Sequence, residues 1–213
     1  MTIERPLHER GIIAVVRLDD LNDAVSVTEA LITGGVTAVE FTFTNPRAAA
    51  AITQVREAVG DQGFIGAGSV LDSETARIAI LAGAQYIVTP TFKRDTVETC
   101  NRYGIPSVIG AFTATEMLTA REAGATYIKV HPASLGGPKY FKDILAPLPF
   151  LKLIPSGGVT PENAADYIRA GAVAVAMGGN LVDGATVKSG DFETIRARAE
   201  RLTQTVAEAR VGR

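Results

Sequence analysis

The sequence predicts a single small (β/α)8 barrel spanning residues 1–213. Three observations carry this: apolar strand-like runs alternate with helical patterns along the chain, glycines mark the helix ends, and an amphipathic helix comes last. The runs are residues 12–17, 38–44, 64–67, 86–89, 107–109, 127–130, 151–154 and 173–177, rich in Val and Ile. Gly35, Gly60, Gly83, Gly104, Gly124 and Gly171 each stand just before a run, where a helix C-cap needs φ > 0. Asn45-Pro46 and Thr160-Pro161 read as an N-cap followed by proline at the first helical position, and Thr113-Ala114-Thr115-Glu116 as a capping box. Phe192, Ile195, Ala199, Leu202, Val206 and Ala209 recur at helical spacing and predict an outer helix covering a barrel wall. No linker or composition shift divides the chain. A doubly wound open sheet is the competing architecture, since periodicity does not report closure.

Composition narrows the function. The 213 residues carry 21 Lys+Arg against 23 Asp+Glu, a formal charge of −2, so no basic excess exists to hold nucleic acid. At 46% hydrophobic and 21% charged, the chain is not a disordered one. A single cysteine, Cys100, excludes an intrachain disulfide and fits a reducing cytoplasm. Residues 1–10 are polar, with no apolar leader core, and no apolar run is long enough to span a bilayer. Cys100, His8 and His131 are too few for a Cys/His zinc site. The expectation is a soluble cytoplasmic domain without metal.

Barrels place their chemistry at the C-terminal ends of the strands, which makes those ends the shortlist. Arg17 ends the first run on the face of Ile13 and Val15, either as a solvated rim cation or as a carboxylate clamp. In the second run, alternation puts Glu40, Thr42 and Thr44 opposite Val39, Phe41 and Phe43. Phe41 and Phe43 suit the helix-facing side, so Glu40 points into the barrel. A carboxylate there is functional or half of an ion pair, with Arg17 as one partner, because an unpaired buried charge is costly. In the sixth run, Ile128 and Val130 claim the outer side and leave Lys129 and His131 facing inward. A lysine buried near another cation gives up its proton more readily than the reference value of about 10.4 implies. That makes Lys129 a candidate Schiff-base nucleophile; the plain alternative is a lysine neutralised by Glu40. His131 reads as pocket wall rather than proton carrier. Ser156-Gly157-Gly158 and Gly178-Gly179-Asn180 follow the last two runs, where barrels bind phosphate with backbone N–H groups. Gly66-Ala67-Gly68-Ser69 is a small-residue turn that lets a ligand approach, or only a tight loop.

An ordered set of motifs resembles one family. It comprises Gly11-Ile12-Ile13-Ala14-Val15-Val16-Arg17, Gly34-Gly35-Val36 with Val39-Glu40-Phe41-Thr42, Gly66-Ala67-Gly68-Ser69-Val70, Thr89-Pro90, Lys129-Val130-His131-Pro132, Pro155-Ser156-Gly157-Gly158-Val159 and Gly178-Gly179. Together they resemble the pyruvate-dependent Schiff-base aldolases that split 2-keto-3-deoxy-6-phosphogluconate (KDPG) and 4-hydroxy-2-oxoglutarate (KHG). The resemblance covers nearly the whole chain. It implies a homotrimeric barrel acting on a small keto acid and pyruvate, with no cofactor, metal, nucleic acid or membrane. It makes Lys129 the imine-forming lysine and Glu40 the general acid/base. Arg17 and Ser69 would contact the pyruvate carboxylate or the substrate hydroxyls, with Thr44, Pro90 and His131 also at substrate-binding positions. Ser156, Gly157, Gly158, Gly178, Gly179 and Asn180 would hold the distal phosphate or carboxylate. Thr44 stands where family members often have Arg, His131 where they have Phe, Ser156 where they have Thr, and Asn180 where they have Ser. A phosphosugar epimerase or isomerase would keep the glycine cup without needing an inward lysine. A divalent-metal aldolase would find only Glu40 and His131 as ligands, and a non-catalytic metabolite-binding barrel would form no imine.

Overall fold

The computed structural model describes residues 11–211; the polar segment 1–10, with His8, lies outside the described residues. The strands are β1 (Ile12–Val16), β2 (Ala38–Thr42), β3 (Phe64–Gly68), β4 (Tyr86–Val88), β5 (Ser107–Ala111), β6 (Tyr127–Val130), β7 (Leu153–Pro155) and β8 (Val175–Met177). Between and after them run the helices α1 (Ala24–Thr33), α2 (Ala48–Val59), α3 (Ser73–Leu81), α4 (Arg94–Arg102), α5 (Ala114–Glu122), α6 (Gly137–Leu145), α7 (Ala164–Arg169), α8 (Gly184–Lys188) and α9 (Phe192–Val211). All strand pairings are parallel, and β1 pairs with both β2 and β8. A bridge between Ser156 and Ala176 joins the end of β7 to β8. The sheet therefore curls into a (β/α)8 barrel, and the open doubly wound alternative falls away.

Side chains alternate across the barrel wall with the period of two that strands impose. Phe41, Ile65, Ile128 and Val130 belong to the layer under the helices, while Ile13, Val15, Phe64, Val108 and Ile154 fill the barrel. With both faces covered, the strands read as near-continuous apolar runs. Ile195, Ala199, Leu202, Val206 and Ala209 of α9 are buried, and the helix packs against α1 and α7. Leu202 and Val206 each contribute roughly 1.5–3 kcal/mol by leaving water. Gly34 permits the approach, since a Cβ there would lie 2.5 Å from the Ala199 methyl group.

The six glycines before strands all take positive φ, as expected. The Thr113–Glu116 capping box is also present: Glu116 N–H donates to Thr113 Oγ1 at 3.3 Å, and Thr113 N–H to Glu116 Oε2 at 2.7 Å. The two proline starts differ from expectation. α2 begins at Ala48 because the Asn45 side chain is engaged elsewhere: its amide donates to the Leu18 and Asp19 carbonyls at 2.9 and 3.0 Å, and its Oδ1 accepts from Arg47 N–H. α7 begins at Ala164, after a turn in which Asn163 Oδ1 accepts from Thr160 N–H at 2.9 Å. Both are local side-chain bonds competing with the regular helix. β2 stops at Thr42, so Phe43 and Thr44 lie in the following turn.

Candidate active site

Glu40 and Lys129 are the only charged side chains buried among the described residues, at 1% and 5% exposure. Both stand on strands and point into the barrel, as alternation predicts. Glu40 has room because its neighbours on β3 are glycines. Gly66 is its register partner, and a Cβ on Gly68 would lie 2.6 Å from Glu40 Oε1. Lys129 is likewise flanked by a glycine, Gly110 of β5. A Cβ on Gly110 would sit 2.1 Å from the Pro90 carbonyl carbon, so the bare strand lets the Pro90 loop close over the barrel beside Lys129. Thr89 Oγ1 fixes this arrangement by accepting from Gly110 N–H at 3.1 Å.

Above these strands opens a cavity of about 240 Å³. Arg17, Ser69, Pro90, Lys129 and His131 line one part of it, and Ser156, Gly157, Gly158, Gly178, Gly179 and Asn180 another. The structure thus brings together most of the residues the sequence singled out. Thr44 is not among them: it is exposed in the turn after β2, with Oγ1 2.9 Å from that of Thr42. Glu40 does not line the cavity either, being more deeply buried. Val15, Val159 and Ala176 complete the wall and were not singled out. Val15 was legible, since it shares the inward face of Arg17; Val159 closes the Pro155–Val159 motif without a role of its own, and nothing marks Ala176 within the eighth apolar run.

Ser69 has φ 57, the only non-glycine at positive φ among the described residues. That backbone costs a side-chain-bearing residue about 1–2 kcal/mol. Hydrogen bonds on both sides hold it, from Phe43 N–H to Gly68 O at 2.8 Å and from Val70 N–H to Val88 O at 3.2 Å. Strain of this kind gathers at functional sites.

The glycine loops are shaped by neighbours as well as by φ. Gly157 and Gly158 have φ of 80 and 82°, and Cβ atoms there would lie 2.9 Å from His131 Nδ1 and 2.5 Å from Ser134 Cβ. The Ser156 and Gly157 carbonyls accept from Ala133 and Ser134 N–H, which pins the loop to the segment after β6. The N–H groups of Gly158, Gly179 and Asn180 donate in none of the loop and turn hydrogen bonds of the described residues, whereas Gly157 stands beside the Ser156–Ala176 bridge. The Asn180 amide donates to Val159 O at 3.1 Å and ties the two loops together.

Burial raises the pKa of Glu40, opposed by the positive fields of Lys129 and then Arg17. Neither carboxylate oxygen has a hydrogen-bond partner among the described residues, so the attraction to Lys129 and Arg17 is not a closed ion pair. His131 is pushed down, first by burial and then by the charge of Lys129, while its Nδ1 lies 3.2 Å from Ser156 O. The ring therefore stays neutral at neutral pH and donates from Nδ1 to that carbonyl. Among the described residues, no group of three or more His, Cys, Asp or Glu could hold a metal ion, and no helix is long and apolar enough to cross a membrane.

An inward lysine and an inward carboxyl group below a glycine-lined mouth define a barrel lyase, a class I aldolase that acts through an imine. The chain belongs to the KDPG and KHG aldolase family, whose family model matches residues 3–198. It is 35% identical over 207 residues to a 2-dehydro-3-deoxy-phosphogluconate aldolase of Treponema pallidum, covering 97% of this chain and 98% of that protein. Over 171 residues it is 37% identical to a 2-dehydro-3-deoxy-6-phosphogalactonate aldolase of Escherichia coli, covering 80% and 83%. A solved structure of a KDPG aldolase from Legionella pneumophila, with pyruvate captured as a covalent carbinolamine, is similar with TM-score 0.87 at 25% identity, over 95% of this chain and 98% of that one.

Proposed function

We propose that this chain reversibly cleaves KDPG to pyruvate and glyceraldehyde 3-phosphate, with KHG as a second substrate. The observation that carries the reading is the pair of buried charges, Lys129 and Glu40, beneath a mouth that offers backbone N–H donors. Cleavage beside a carbonyl needs an electron sink. The deprotonated amine of Lys129 attacks the C2 carbonyl, and loss of water gives the protonated imine. Glu40 takes the C4 hydroxyl proton through a water, the C3–C4 electron pair flows to the imine nitrogen, and the aldehyde leaves. Glu40 returns the proton to C3 of the enamine, and hydrolysis frees pyruvate and Lys129. A carboxyl group raised by burial suits both transfers, because acid/base catalysis is best near the working pH. Arg17 holds the substrate carboxylate as a forked guanidinium, with Ser69 at the hydroxyls. Pro90, His131 and Ser156 wall the pocket, and the N–H groups of Gly158, Gly179 and Asn180 receive the distal phosphate, with Gly157 and Gly178 shaping the two loops.

The distal cup has a direct test. A Cβ on Gly179 meets nothing within 4 Å, so Gly179→Val leaves the fold intact and fills the mouth instead. The variant is expected to lose kcat/KM most on KDPG and less on KHG or the unphosphorylated analogue, with pyruvate trapping unchanged. Because His131 is neutral and Thr44 lies outside the cavity, the cup relies on backbone donors, and the wild-type preference for KDPG is moderate. Equal losses on all three substrates would reduce the glycine pairs to turns.

The same reading places the enzyme in the cytoplasm as one barrel domain over residues 1–213, assembled as a homotrimer. Ile78 and Leu81 stand three residues apart on α3 at 53% and 69% exposure, with Leu71 just before the helix also exposed. Apolar residues grouped in this way suit an interface between copies. Light scattering is expected to give three times the chain mass, and Leu81→Asp to lower it; a wild-type monomer would overturn the assembly.

A further inference from the structure

We propose that Tyr86 is a positioning residue for Glu40: its hydroxyl donates through one bridging water to the Glu40 carboxylate, orients it and lowers its proton affinity. The inference rests on the reading of Glu40 as the acid/base. Tyr86 is fully buried on the inner face of β4, and its hydroxyl has no hydrogen-bond partner among the described residues, like both oxygens of Glu40. Two unsatisfied polar groups inside one barrel are costly; they stand beyond direct hydrogen-bond reach of each other, and one water that accepts from the phenol and donates to the carboxylate satisfies both.

Their placement follows from the strand register. Glu40 of β2 pairs with Gly66 of β3, and Gly66 pairs with Tyr86 of β4. Gly66 carries no side chain, and a Cβ there would lie 2.4 Å from Tyr86 Cζ, the ring atom that bears the hydroxyl. The phenol end thus occupies the space left open over β3, on the side of the barrel where Glu40 stands. One inward position further along β3, Gly68 makes the corresponding space for the carboxylate. Two missing side chains on one strand therefore admit a donor and its acceptor into the same part of the barrel. Beneath the phenol, the Phe64 ring stacks at 4.8 Å and 18° and fixes its plane.

The charges around Glu40 leave this donor a distinct part. Lys129 faces it from β6 and Arg17 from the end of β1, while β3 contributes only glycines. During the reaction Lys129 becomes the imine nitrogen and Arg17 is occupied by substrate, so Tyr86 is the group free to steady the carboxylate throughout. Burial, and then the negative charge of Glu40, push the phenol well above its ordinary value, which keeps it a donor at every working pH.

Tyr86→Phe keeps the ring stacked on Phe64 and removes one oxygen. The expected loss is about tenfold to a hundredfold in kcat with little change in KM, the scale of one hydrogen bond to a charged group. The acid limb of kcat/KM against pH should move to higher pH, because the carboxylate loses a donor that favoured its ionised form. Pyruvate trapping at Lys129 should be unchanged. In a Glu40→Gln background, Tyr86→Phe should add nothing further to the loss in kcat. Wild-type kcat with an unmoved acid limb in Tyr86→Phe would overturn the proposal. An acid limb that persists in Glu40→Gln would instead overturn the reading of Glu40 as the base.

Discussion

Lys129→Ala is expected to lose cleavage activity by a factor on the order of 10⁴–10⁶, as deletion of a covalent nucleophile does elsewhere. Borohydride and pyruvate should inactivate the wild type and leave a reduced pyruvyl group on the peptide holding Lys129, and the variant should show neither effect. The structure makes the label's position diagnostic. Lys129 is buried and lines the cavity, whereas Lys93 and Lys142 are exposed and Lys139 is paired with Asp143 at 2.7 Å on the surface of α6. Lys152 lies at the start of β7, its amine 5.4 Å from the centre of the Tyr127 ring. Adducts on any of these would overturn the assignment. The barrel should remain folded, since Ile128 and Val130 on either side of Lys129 stay packed under the helices. Activity should also survive a chelator, because the imine supplies the electron sink; loss in EDTA restored by a divalent ion would favour a metal aldolase.

What the sequence made legible followed from period and punctuation. The alternation in residues 38–42 set Glu40 inward, and the Ile128–Val130 bracket did the same for Lys129, because both strand faces are buried and only one can hold a charge. The glycine pairs could be placed because barrels bind anions after their last two strands. Three things were not legible, each for a physical reason. Closure runs through the Ser156–Ala176 bridge and the hydrogen bond from Val173 N–H to Leu153 O at 2.9 Å, which no periodicity records. Alternation sets Thr44 beside Thr42, and their hydroxyls do meet at 2.9 Å, but β2 ends at Thr42 and the turn leaves Thr44 exposed and off the cavity wall. Gly66 and Gly68 read as parts of a small-residue turn, and Gly110, just past the fifth apolar run, carries no mark at all. Their role is the space they leave for Tyr86, Glu40 and Pro90, which only the neighbouring strands reveal.

Glu40→Gln is expected to keep trapping pyruvate, at a reduced rate, while cleavage falls by roughly 10²–10⁴-fold, the range for a positioned acid/base. Gln keeps the length and a hydrogen-bonding end but cannot take the C4 proton or return one to C3. Stability should move the other way. Burial raises the folded pKa of Glu40 above its unfolded value, so the folded state binds the proton more tightly. Its carboxyl group therefore costs little stability while it is protonated in both states, and the cost grows as pH rises above the unfolded pKa. The neutral amide carries no such cost. Glu40→Gln should melt higher than wild type at neutral pH, with the gap closing as the pH falls into the ordinary carboxylate range. Melting curves across that range, set beside single-turnover cleavage, test both halves at once. Unchanged turnover would return Glu40 to an ion-pair partner of Lys129 and Arg17, and a lower melting temperature at neutral pH would show that those cations more than offset its burial. The combination of slower chemistry and a more stable fold is what a carboxylate kept in a costly place for proton transfer should give.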